Sequence, residues 1–146
     1  MPNDEMSLWR YRAGELALAC GGSFAADEVE RLRELLHLLR RAPLGLDPGL
    51  CLPDAARVEP LLAAGGAIAV ALSLFDGSEA GYILSRGGAG QHIASVFLPG
   101  AGEETNAGGE SASLAMLGAL CLALAELTAG VPISPDLRAP DGARLN

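Results

Sequence analysis

The chain contains no lysine; all ten of its basic residues are arginine. That absence removes Schiff-base catalysis, attachment of pyridoxal phosphate and the phosphate-contacting lysine of a nucleotide-binding loop. Aromatic residues are nearly as scarce, at 4% of a chain that is 50% apolar. The core is therefore expected to consist of Ala, Leu, Val and Ile, whose small side chains let elements approach closely. Three cysteines, Cys20, Cys51 and Cys121, are odd in number, widely spaced and set beside apolar residues. This pattern points to reduced thiols in a cytoplasmic protein and not to a disulfide framework. Positive charge is also short, with a formal net charge of −8. The densest basic stretch, Arg31, Arg33, Arg40 and Arg41, is interleaved with Glu28, Glu30 and Glu34, so it reads as a solvated helix face. No nucleic-acid partner is expected, because phosphate neutralisation needs a basic patch.

Long apolar runs are missing too. Leu114–Ala125 is a run of twelve apolar residues between Ser113 and Glu126. A bilayer span takes about 20 residues and favours basic flanks, so this run is expected to be a buried core helix, with no membrane association. Met1–Ser7 carries Asp4 and Glu5 in place of the basic and apolar regions of a signal peptide.

A length of 146 residues suggests one domain. Residues 1–130 are expected to be globular, and 131–146, with Pro132, Pro135 and Pro140, an extended tail. Between Leu8 and Cys20, Trp9 and Tyr11 alternate before Ala13–Gly14, and Leu16, Leu18 and Cys20 after it. That alternation favours a hairpin. The competing helical stripe of Leu8, Arg12, Leu16 and Ala19 contains Gly14, which costs about 1 kcal/mol relative to Ala. Ala25–Arg41 repeats Val29, Leu32, Leu36 and Leu39 at helical spacing, with acids in its first turn and arginines in its last. A Pro/Gly-rich loop follows, and Asp54 then caps a short helix to Ala64 that contains Pro60.

Three apolar runs, Ala67–Phe75, Glu79–Arg86 and Gln91–Leu98, joined by Asp76–Gly77 and by Gly87–Gly90, predict an antiparallel meander. Pro99–Glu110 reads as an irregular loop and Ser111–Ala129 as a long helix apolar nearly all round. The class is α+β, an antiparallel sheet packed against a long apolar C-terminal helix and an amphipathic N-terminal helix; with the N-terminal hairpin added to the three-strand meander, the order is β-β-α-α-β-β-β-α. That order is similar to the order of profilin-like and roadblock-type domains. The similarity extends to no sequence motif and carries no function with it.

Candidate chemistry is sparse. Gly109-Glu110-Ser111-Ala112-Ser113 approximates a nucleophile elbow, but both histidines, His37 and His92, precede the serine, so Ser111 reads as a helix cap. His37 reads as a packing or surface residue. Arg86, the glycine amides at Gly88 and Gly90, and His92 surround one turn and form a candidate anion-binding group. The scattered Cys and His residues match no metal-ligand spacing, so no metal is expected. Gly100-Ala101-Gly102 lacks the rest of a dinucleotide fingerprint, so no cofactor is expected.

The favoured expectation is a non-catalytic assembly module that forms a homodimer through the Ala115, Ala119 and Ala123 stripe of the last helix. One alternative is a sensor of a small anionic ligand at Arg86, Gly88, Gly90 and His92. Another is a small enzyme with His92 as acid or base, helped by Glu103 or Glu104.

Overall fold

The structure, a computed structural model, describes residues 2–128. The tail expected at 131–146 lies outside the described residues. The elements are α1 (Pro2–Gly21), a 3-10 turn (Ala25–Asp27), α2 (Glu28–Arg40), α3 (Ala55–Ala63), α4 (Ala67–Ser73), β1 (Gly81–Arg86), β2 (His92–Phe97), β3 (Thr105–Gly109) and α5 (Ala112–Ala125). The class is α+β. The sheet is an antiparallel meander in the order β1-β2-β3, and α5 packs on it.

Helix α5 is the centre of the molecule. Eleven of its own residues are buried, and they point in every direction around the axis. Strands β2 and β3 cover one side and α1 the other, with α2 and α4 closing the flanks. Ser111 accepts a hydrogen bond from the Leu114 amide at 3.1 Å, so the helix starts where the sequence places a cap. At its other end, the Leu127 carbonyl accepts from Arg10 Nε on α1 at 2.6 Å, which brings a cation to the negative end of the helix.

Three expected elements differ from the structure. Residues 8–20 form part of α1 and not a hairpin. Their buried residues, Trp9, Ala13, Leu16, Ala17 and Cys20, follow a helical stripe that runs through two alanines. Trp9 fixes α1 to α2, its indole donating to the Leu38 carbonyl at 2.8 Å. Residues 67–73 form α4 and not a strand, with Ala67, Val70, Ala71 and Leu74 fully buried at helical spacing. Alternating Ala with larger apolar residues fits either period, because Ala suits both the helix stripe and the strand face. Asp76–Gly77 accordingly ends a helix; Asp76 N–H donates to the Ser73 carbonyl, and Gly77 takes φ +65°.

Within the expected loop at 99–110, Thr105–Gly109 forms β3. The segment has little strand propensity. It is held by pairing with β2 and by Thr105 Oγ1, which donates to the Ala119 carbonyl of α5 at 2.6 Å. The meander thus has the expected strand number, with its first expected strand replaced by β3 at the far edge. The observed element order also departs from the order shared with profilin-like and roadblock-type domains.

Candidate functional site

The β1–β2 hairpin brings two of the candidate residues together. Arg86 and His92 are register partners, so their side chains leave the same face of the sheet. Arg86 is exposed and His92 half-buried. The turn between them uses part of its own donor set: Gly87 N–H donates to the Gln91 carbonyl at 2.7 Å and Gly90 N–H to the Gly87 carbonyl at 3.0 Å. Gly90 also borders a cleft of about 570 Å³ between Gly21–Phe24 and Gly108–Glu110, whereas Arg86, Gly88 and His92 do not line it. The ionisable side chain on that cleft is Glu110, which accepts from the Ala25 amide at 2.5 Å. An anion in the cleft would meet a carboxylate.

Glu103 and Glu104 precede β3 at the end where Thr105 pairs with Val96, while His92 pairs with Gly109 at the other end. The length of a strand separates them, so the structure does not assemble the acid–base set considered for an enzyme. Ser111 donates to Glu28 Oε1 at 2.8 Å and caps α5, with no histidine among its partners. His37 is exposed on α2. Among the described residues, no group of three or more His, Cys, Asp or Glu side chains is placed to hold a metal ion, and no helix is long and apolar enough to cross a membrane.

The alanine stripe is a correction. Ala115, Ala119 and Ala123 are all 0% exposed within a single chain. The second face of α5 needed a cover, and α1 supplies it. A hairpin reading of residues 8–20 left that face open; once the segment is a helix, the face is closed and offers nothing to a partner.

Among the described residues, nothing covers the far side of the sheet or its first edge. Cross-strand partners share a face, so Ile83, Ile93 and Phe97 lie opposite the face that α5 covers. They are 65%, 38% and 42% exposed. Among the described residues, strand β1 hydrogen-bonds to β2 alone. The Gly87–Gln91 bond marks that pair as hydrogen-bonded, and such pairs alternate along an antiparallel ladder. Gly81, Ile83 and Ser85 therefore exchange bonds with β2, while Tyr82, Leu84 and Arg86 turn their N–H and C=O groups to the open edge. No proline or lysine blocks this edge, and no bulge interrupts its register. The pattern that marks the edge in sequence is a run of apolar residues on both strand faces, Tyr82-Ile83-Leu84, with no clear polar side.

A second feature is a groove of about 560 Å³ between α1 and α2. Leu8, Trp9, Leu16 and Leu38 form its apolar floor. Arg12 and Arg41 stand on its rim with Glu15 and Glu34. The hairpin reading of α1 hid this groove, because its floor exists only when Trp9 and Leu16 share a helix face.

No protein-family model matches this chain, and neither a curated protein nor a solved structure shows significant similarity to it.

Proposed function

We propose that the protein is a non-catalytic assembly module that forms a homodimer by pairing the open edge of β1 with the same edge of a second copy. The observation that carries this reading is the unprotected edge at Tyr82, Leu84 and Arg86 beside the exposed Ile83. Pairing satisfies outward-facing backbone groups and extends the sheet to both copies. The charges at the strand ends support an antiparallel arrangement. Glu79 lies just before β1 and Arg86 ends it, and both are exposed. Antiparallel pairing sets the Glu79 end of one strand against the Arg86 end of the other, whereas parallel pairing would juxtapose like charges.

Native mass spectrometry and sedimentation equilibrium at tens of micromolar test the reading. The expected result is a dimer that Ile83→Lys converts to a monomer with an unchanged circular dichroism spectrum. The substitution lies on an exposed position and places like charges across the twofold axis. A wild-type monomer, or a dimer indifferent to Ile83→Lys, contradicts the proposal.

A second reading, recognition of a small amphipathic molecule, rests on the α1–α2 groove. Its volume and apolar floor with a few charged groups fall within the range of ligand sites. Trp9 is the only tryptophan in the chain and lies on the floor. Titration with anilinonaphthalene sulfonate is expected to quench Trp9 fluorescence saturably, with the affinity reduced in Leu8→Asp. Unsaturable quenching, or quenching unaffected by the substitution, counts against the groove.

A further inference from the structure

Cys20 and Cys121 are far apart in the chain, and both are 0% exposed. The fold packs α1 against α5, so that Cys20 in the last turn of α1 lies against the stretch of α5 that carries Cys121, near enough for each thiol to act on the acidity of the other. Gly118, one turn before Cys121, marks the approach: a Cβ on it would lie in ordinary contact with the Cys20 Cβ at 3.7 Å, while its nearest neighbour would be the Ala107 Cβ of β3 at 3.3 Å. A buried cysteine is usually an inert small hydrophobe. Two features set this pair apart.

The first is the partner thiol itself. The second is Arg31 on α2, whose charge acts on Cys20. Arg31 Nη1 is paired with Glu34 at 2.5 Å, but its Nε is buried with no hydrogen-bond acceptor among the described residues. A buried donor without an acceptor is costly. A thiolate, or an oxygen added to the Cys20 sulfur, would supply negative charge beside that guanidinium. The two thiols are also driven apart in acidity. The hydrogen bond from Cys121 lowers the Cys20 pKa, Arg31 assists, and burial and Glu34 oppose. The same hydrogen bond, followed by burial and the charges of Cys20 and Glu34, pushes Cys121 well up.

We propose that Cys20 and Cys121 form a redox-active dithiol site that reacts with a small hydroperoxide and closes to an intramolecular disulfide. Cys20 is the attacking sulfur and Cys121 the resolving one. The Cys20 thiolate attacks the distal peroxide oxygen and breaks the O–O bond; the leaving oxygen takes a proton and departs as water, or as an alcohol from an alkyl peroxide. Cys20 is then a sulfenic acid. The Cys121 sulfur attacks the Cys20 sulfur, and the sulfenic hydroxyl leaves as water with the Cys121 proton. With hydrogen peroxide, the dithiol loses two hydrogens, the peroxide is reduced to two waters, and both sulfurs are oxidised to the disulfide. The α1–α2 groove reaches Arg31 and Ala19, the residue before Cys20, and so approaches the pair, whose own sulfurs are buried beneath it. This site is independent of the dimer edge on the opposite side of α5.

The test uses the full chain with the exposed Cys51 changed to Ser. Folded protein is exposed to a small excess of hydrogen peroxide, quenched with catalase, denatured and alkylated with iodoacetamide. Before exposure, both remaining thiols are alkylated. Afterwards the expected result is loss of both alkylations, a Cys20–Cys121 cross-linked peptide, and recovery of both on reduction. In Cys121→Ala, a dione probe is expected to label Cys20 as the sulfenic acid, and Arg31→Met is expected to slow disulfide formation. If either variant fails to fold, the Cys51→Ser protein alone still decides. Two thiols that remain alkylatable, or oxidation only to intermolecular cross-links or sulfinic acid, overturn the proposal.

Discussion

Replacing Ala119 by Glu is expected to abolish folding, and not to release folded monomers. Ala119 is fully buried in the middle of α5, and its carbonyl receives the Thr105 hydroxyl of β3. A glutamate side chain there must either expand the packing between α5 and its neighbours or bury a carboxylate without a partner. Each course costs several kcal/mol. A domain of this size has about 5–15 kcal/mol of total stability, so the loss removes most or all of the folded population. Loss of helical circular dichroism, with expanded or aggregated material on size exclusion, is the expected outcome. A folded monomer with native helicity would show instead that the alanine stripe faces a partner and that α1 does not cover it.

Gly109→Ala is expected to lower stability by about 3 kcal/mol, at the upper end of ordinary overpacking. A Cβ on Gly109 would lie 2.6 Å from the Ala115 nitrogen, 2.9 Å from the Leu114 carbonyl carbon and 3.0 Å from the Leu114 Cβ. Two of these are backbone atoms in the first turn of α5, which cannot yield as the end of a flexible side chain does. The end of β3 must move away from the helix, and the Thr105 and His92 pairings at either end of the strand move with it. Gly108→Ala is the control, since a Cβ there would meet the Gln91 side-chain nitrogen at 3.4 Å and the His92 oxygen at 3.6 Å. Urea unfolding is expected to show a lower midpoint with an unchanged slope for Gly109→Ala and a small effect for Gly108→Ala. Equal midpoints for the two variants would mean that β3 does not support the start of α5.

The elements differ in how far their residues announced them. Helix α2 declared itself because Val29, Leu32, Leu36 and Leu39 stand against Arg and Glu, so only one period fits. Strands β1 and β2 were legible for a similar reason, their runs being short and bounded by glycine-rich turns. Helices α1 and α4 were not legible, although a helical stripe is present in each. In Trp9, Ala13, Leu16, Ala17 and Cys20 the small residues carry too little contrast to overrule the Trp9–Tyr11 and Leu16–Leu18 alternation. Strand β3, with the sequence Thr-Asn-Ala-Gly-Gly, holds no local signal at all. It is a strand because β2 presents an edge and α5 presents the Ala119 carbonyl.

The same division runs through the candidate sites. The pairing of Arg86 with His92 follows from one short hairpin and could be read locally. The open edge of β1, the α1–α2 groove and the meeting of Cys20 with Cys121 each depend on elements distant in the chain. By itself, the sequence determined the α+β class, the burial of α5 and the absence of lysine chemistry, because these follow from composition and from runs of clear polarity. The tertiary structure alone decided which element covers the second face of α5, which segment completes the sheet and which surfaces remain open. In a core built from Ala, Gly and Leu, either local period satisfies the side chains, and only the packing of distant elements separates them.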